Sequence, residues 1–258
     1  MARYQIVLAY DGTSFFGSQR QTSPGASSRA ARSRTVQGEL ERALTKLGWQ
    51  GKSVLLAGRT DTGVHASGQV ATFDHGWDHP LEELVSALNA YLPLDIAVNA
   101  VKIVPDGFHP RFDATSRRYC YHLFCQRSRN PLRERYTWRV WPALDEEALH
   151  NTAKLFLGKH DFAAFGSPPR PGSSTVRTVM KSEWRLQGDE WTFEVQADGF
   201  LYRMVRKLVH VQVAVGQKRA QAQAIADALA GKPWGIPGGL APANGLTLVE
   251  VTYPVAAG

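Results

Sequence analysis

The chain has 258 residues, 43% of them hydrophobic and 21% charged, with 30 Lys plus Arg against 23 Asp plus Glu for a formal charge of +7. At ~150 residues per domain the length fits one large domain or two small ones, and the composition excludes disorder, collagen-like repeats and coiled coil. The positive excess favours a polyanionic partner, and with no apolar run near the ~18 residues of a membrane span, and only Ile6–Tyr10 as a short apolar start, neither a membrane role nor a signal peptide is expected.

Arg3 to Tyr10 reads as a strand. Thr35 is placed to N-cap a helix whose Val36, Leu40, Ala43, Leu44 and Leu47 follow helical spacing up to Gly48. Ser53–Ala57 and Gly68–Phe73 read as two strands. Pro80 opens a helix with Leu81, Leu84, Val85 and Leu88 on one face, stopped by Pro93, and Ile96 to Val104 gives another strand. The order β-α-β-β-α-β then returns in the second half. Arg117–Cys125 is a strand, the aromatic stretch Tyr136–Trp141 adds one, and a helix runs from Asp145 to Leu157. Alternating Thr178–Leu186 and Trp191–Ala197 flank Gly188-Asp189 as a hairpin. An apolar helix from Leu201 to Val211, a second to Gly231 and a closing strand Leu246–Tyr253 follow. This predicts an α+β fold of two split-βαβ (ferredoxin-like) halves, 1–106 and 107–258, joined near Pro105–Phe112. Cys120 and Cys125 lie five apart on one strand, on opposite faces and roughly 16 Å from each other. They read as buried small hydrophobes in a reducing, cytoplasmic compartment, with His122 satisfied between them.

The charge is concentrated. Lys102–Arg139 carries nine Lys/Arg, including Arg111 and Arg118, against Asp106, Asp113 and Glu134. Gly199–Arg219 carries five, including Arg203, with no acid, and Arg20–Arg34 carries four Arg with none. One such run describes a solvated face. Three, interleaved with Tyr119, Tyr121, Phe124, Tyr136, Trp138 and Trp141, point to nucleic acid, and Gln21–Arg34 reads as an RNA-gripping arm. Gly166–Ser174 and Gly235–Gly245 are loops that either cover a site or merely connect elements.

Chemistry narrows to one acid. Gly58-Arg59-Thr60-Asp61-Thr62-Gly63-Val64-His65-Ala66 follows a buried strand, and its glycines allow a tight turn against a ligand. As an anonymous string it reads first as a turn in which Asp61 bonds its own backbone while Arg59 is solvated. It lacks the Lys-Ser/Thr ending of a phosphate-binding P-loop. Asp74, His75, Asp78 and His79 could suggest a metal-dependent nuclease, but Pro80 starts a helix directly afterward, so Asp78 and His79 read as its cap and no metal is expected. No Gly-x-Ser-x-Gly elbow is present. A lone carboxylate in a dry pocket stays ionised only beside a fixed cation. Arg59 and Arg206 are the candidates, although an Arg in an apolar helix such as Arg206 also commonly reaches solvent along its stem.

Together these stretches resemble the tRNA pseudouridine synthase A family. GRTDTGVHASGQV (Gly58–Val70), RRYCY (Arg117–Tyr121) and FLYRMVR (Phe200–Arg206) are similar to its three motifs, with further likeness at YDGTSFFGSQRQ, TVQGELERAL, FHPRFDATSRRY and KHDFAAF, from about Tyr4 to Pro254. The resemblance implies a basic cleft between two α+β halves, a homodimer, tRNA as partner, and no metal or organic cofactor. It implies isomerisation of uridine to pseudouridine at positions 38, 39 and 40 of the tRNA anticodon stem-loop. By it Asp61 is the catalytic aspartate and nucleophile, at the sugar C1′ or the uracil C6. Tyr119 packs on the target base, Arg206 pairs with the aspartate, and Arg59 helps hold the everted nucleotide. Arg20, Arg111, Arg118 and Arg203 are the further RNA-binding candidates. Ser18 replaces the aromatic usual before Gln19, Thr62 stands where Ala is common, His210 occupies a usual Gly, and Gln21–Arg34 is long. The competing expectation is a non-catalytic RNA-binding protein of the same architecture.

Overall fold

The computed structural model describes residues 1–20, 34–232 and 235–254. The chain forms two compact units, Met1–Thr115 with Leu248–Gly258, and Ser116–Thr247. The division expected after residue 106 lies inside the first of these. The Thr115 N–H donates to the Thr252 carbonyl at 2.9 Å, and the Tyr253 hydroxyl to the Pro110 carbonyl at 2.7 Å. Residues 107–115 are therefore tied to the closing strand, a pairing that local periodicity does not encode.

In the first unit β1 (Ala2–Tyr10) lies between β4 (Ile96–Val104) and β3 (His65–His75), antiparallel to both, with Ile6 opposite Ala71 and Val101. The outer edge of β3 takes β2 (Leu55–Leu56) and β10 (Leu246–Thr252). Helices α1 (Val36–Lys46) and α2 (Leu81–Tyr91) complete the order β1-α1-β2-β3-α2-β4, a split βαβ unit. Strand alternation puts Tyr4, Ile6, Leu8 and Tyr10 into the core, where Leu40, Leu44, Leu84 and Leu88 are also buried. Each such side chain stabilises the fold by about 1.5–3 kcal/mol. At Gly68 a Cβ would lie 2.0 Å from the Val249 carbonyl oxygen, so only glycine lets β10 approach β3.

Two local expectations change. The strand expected at Ser53–Ala57 shrinks to two residues: at its start the Val54 N–H donates to Glu41 Oε1 at 3.1 Å, while at its end the Ala57 N–H still donates to the Val70 carbonyl at 2.9 Å. Asp78 and His79 do not cap α2. Pro80 occupies the N-cap without a side-chain hydrogen bond, and Glu82 and Glu83 supply the first-turn charge. Thr35 does cap α1, accepting from the Gly38 N–H at 3.2 Å.

In the second unit the sheet order is β5 (Ser116–Cys125), β9 (Glu190–Ala197), β8 (Val176–Gln187), β7 (Gly158–Asp161), with β6 (Trp138–Val140) parallel to β5. Helices are α3 (Glu146–Lys154), α4 (Met204–Gly216) and α5 (Ala222–Leu229). Tyr119, Tyr121, Leu123, Trp184, Trp191, Phe193 and Val195 point to the buried side, and α4 is buried almost all round. Its one interior amide, Gln212, accepts from Trp184 Nε1 at 2.8 Å. Gly188 turns the β8–β9 hairpin with a left-handed φ of 63°. The second half does not simply repeat the first. It gains β7, whose Gly-Lys-His-Asp has no apolar alternation, and Leu248–Thr252 of the closing strand counts with the first unit.

Candidate active site

Asp61 is half-buried in the loop that leads into β3, and its neighbours are clamped on both sides. Gln69 grips the Gly58 residue twice: its Nε2 donates to the Gly58 carbonyl at 3.0 Å and its Oε1 accepts from the Gly58 N–H. Thr60 is held by the fully buried Ser18, whose Oγ accepts from the Thr60 N–H at 2.9 Å while the Ser18 N–H donates to the Thr60 carbonyl at 3.1 Å. The Tyr10 hydroxyl lies 2.9 Å from Thr60 Oγ1 and accepts from Gln69 Nε2 at 3.3 Å. Burial pushes the Tyr10 phenol up to about 12, against its bonds to Thr60, Gln69 and Ser18. Past the acid, the Asp61 carbonyl accepts from the Val64 N–H at 3.1 Å, and Gly63 takes a φ of 80° to close the turn. The segment Asp11–Ser18 lies directly against this loop. A Cβ on Gly12 would sit 2.0 Å from the Val64 carbonyl oxygen and one on Gly17 2.9 Å from that of Thr60.

In the second unit Tyr119 is a buried residue of β5, opposite Val195 of β9, with Phe200 edge-on to its ring at 5.1 Å. Arg206 is half-buried on α4. Its Nε donates to the Ala241 carbonyl at 2.8 Å and its own carbonyl accepts from the Ala241 N–H at 3.1 Å, so it is anchored to the 235–245 loop instead of merely reaching solvent. Burial pushes the Tyr121 phenol well up, with the Arg206 charge pulling the other way. Tyr119 and Tyr121 share one face of β5, so the second and third motifs meet around that strand.

The expected RNA-binding arginines fall into two groups. Arg59, Arg111 and Arg203 are exposed, Arg203 at a left-handed φ of 63° with its guanidinium 4.7 Å from the Tyr202 ring. Arg20 and Arg118 are engaged by acids, at 3.1 Å from Glu41 and 3.2 Å from Glu194. Arg34, expected in the gripping arm, is built into the fold: it pairs with Glu39 and Asp95 at 2.6 Å each and covers the Phe15 ring at 4.3 Å. Residues 21–33 of that arm lie outside the described residues. Asp74 pairs with Arg3 at 2.7 Å, and among the described residues no three His, Cys, Asp or Glu side chains cluster as metal ligands. Both cysteines are half-buried and unbridged, and His122 lies 3.2 Å from Thr192 Oγ1 and 3.6 Å from Glu190.

The first unit thus holds a single acid on a hydrogen-bonded turn, and the second, taken by itself, holds a tyrosine on a strand and an arginine on a helix. The family model described as tRNA pseudouridine synthase matches residues 6–113 and 152–254. The chain is 43% identical to a tRNA pseudouridine synthase A of Solidesulfovibrio magneticus, covering 98% of this chain and 92% of the relative. It is 40% identical to those of Limosilactobacillus fermentum (98% and 96%) and Chloroflexus aurantiacus strain J-10-fl (98% and 90%). The chain belongs to the tRNA pseudouridine synthase family and is an isomerase. No helix among the described residues is long and apolar enough to cross a membrane.

Proposed function

We propose that the protein isomerises uridine to pseudouridine at positions 38, 39 and 40 of the tRNA anticodon stem-loop, with Asp61 as nucleophile. The observation that carries this reading is the position of Asp61, half-buried and directly after a residue fixed at its amide, carbonyl and hydroxyl. A nucleophile so held meets its target without first ordering its loop. The uridine leaves the helical stack to be reached. Its N1–C1′ bond breaks, the base turns, and a C5–C1′ bond forms. C5 loses a proton and N1 gains one, so the reaction balances without oxidant or water. Asp61 attacks C1′ or C6, Tyr119 packs on the base, and Arg206 keeps the carboxylate ionised. Arg59, Arg111 and Arg203, which are exposed, hold phosphates, while Arg20 and Arg118 contribute as their acidic partners yield to RNA. The working form is a homodimer in the cytoplasm.

The test is tritium release from tRNA carrying 5-labelled uridine. Asp61→Asn lowers turnover at least about 10³-fold and keeps salt-sensitive tRNA binding. Substantial turnover by that variant removes Asp61 from its role.

A further inference from the structure

We propose that Ser18 is a positioning residue for the isomerisation: through its hydroxyl and its own amide it fixes the peptide planes on both sides of Thr60 and so sets where the Asp61 carboxylate stands. The inference rests on Asp61 being the nucleophile. Ser18 lies 42 residues before Thr60 and touches no group that reacts. Its geometry is nonetheless specific. The Thr60 N–H belongs to the Arg59–Thr60 peptide and donates to Ser18 Oγ at 2.9 Å. The Thr60 carbonyl belongs to the Thr60–Asp61 peptide and accepts from the Ser18 N–H at 3.1 Å. One residue therefore holds both planes, and the second plane carries the Asp61 Cα. Rotation about the Thr60 dihedrals, the only soft movement available to the acid from that side, requires breaking one bond or the other.

The surroundings make Ser18 the keystone of this contact. It is fully buried, so water does not replace its hydroxyl as a partner for the Thr60 N–H. Gly17 adopts a φ of 88° so that the chain passes close to the Thr60 carbonyl, where a Cβ would lie 2.9 Å away. The Tyr10 hydroxyl lies 2.9 Å from Thr60 Oγ1, which makes Tyr10 a second support behind the same residue. Residue type is decisive at position 18. Alanine keeps the backbone bond but leaves the Thr60 amide without its acceptor, whereas threonine keeps both bonds.

A loop held this way loses rate, not affinity, when loosened, because displacement of a reacting group by an ångström or less costs up to about 10²-fold. Ser18→Ala is expected to lower kcat about 10–100-fold on unmodified tRNA, with KM close to that of the parent. Ser18→Thr restores most of the rate. Tyr10→Phe, which removes only the supporting hydroxyl, shows a smaller loss of kcat, again with KM unchanged. Asp61→Asn is assayed alongside. If it is inactive while Ser18→Ala and Tyr10→Phe both turn over at the parental kcat, the positioning role is wrong and the assignment of Asp61 stands. If Asp61→Asn is active, the assignment itself is wrong. If Ser18→Ala does not fold, Tyr10→Phe decides: a parental kcat overturns the proposal, and a reduced kcat at parental KM supports it. A rise in KM with kcat intact makes Ser18 a tRNA-binding residue and also overturns it.

Discussion

The two units hold their candidate functional side chains by different means. In the first, Asp61 sits on a loop steadied by neutral hydrogen bonds from Ser18 and Tyr10, far away in sequence, and from nearby Gln69. In the second, Tyr119 and Arg206 sit on a strand and a helix, where backbone ladders already fix them, and the adjacent polar residues form an ion cluster. Glu194 lies 2.9 Å from Lys181, 3.2 Å from Arg118 and 3.5 Å from Arg185. A loop has no ladder of its own, so its rigidity must be imported, and buried neutral donors and acceptors do this without the desolvation cost of charge. In the second unit the buried Glu194 offsets that cost by pairing with several cations.

That contrast can be broken at either end. The largest effect is expected from Gly12→Ala, whose new Cβ would press on the Val64 backbone with no flexible side chain to give way. A loss of about 3 kcal/mol in urea-induced unfolding is expected; an unchanged midpoint would show that the two loops are not in hard contact. Next comes Glu194→Gln, which leaves Lys181 and Arg118 without their shared acid. Because these cations are about one-third exposed, the expected loss is about 1–2 kcal/mol. Burial pushes the Glu194 carboxyl up, but Lys181 and Arg118 outweigh it and hold it below 4.5. With the folded value depressed, its contribution is complete above pH 4.5 and fades as pH falls through the folded value. The acid limb of parental stability should therefore flatten in Glu194→Gln, which acid titration of unfolding measures. The smallest effect belongs to Tyr10. Its phenol is raised from 10.0 to about 12, so the unfolded chain ionises first, and support for the Asp61 loop wanes as pH rises from about 10 to about 12. Tyr10→Phe should cost about 1 kcal/mol or less at neutral pH and make the alkaline limb of stability shallower, leaving the part due to Tyr121, whose phenol is also raised.

Much of the fold was legible because its long elements advertise themselves. Strand β1 alternates, α1 carries a threonine cap, and the β8–β9 hairpin turns on Gly188-Asp189. Elements defined by partners instead of pattern were not. β7, Gly-Lys-His-Asp, is recruited by β8, and β2 is cut short at its start, where Glu41 takes the Val54 amide. The Asp61 loop could be found from its motif, but its supports could not. Ser18 lies 42 residues from Thr60 and Tyr10 59 residues from Gln69, and no local rule links a serine and a threonine across such distances. Arg34 shows the opposite error. A run of arginines looks solvent-bound in sequence, yet this member is spent on Asp95 and Glu39.

One feature of the first unit bears on how the protein is made. Because Leu248–Thr252 joins the edge of β3, a ribosome has already released nearly all of the second unit before the first can close. Until that late segment emerges, part of the β3 edge, around Gly68, waits without its partner strand, and a nascent chain in this condition invites capture by another edge or by a chaperone.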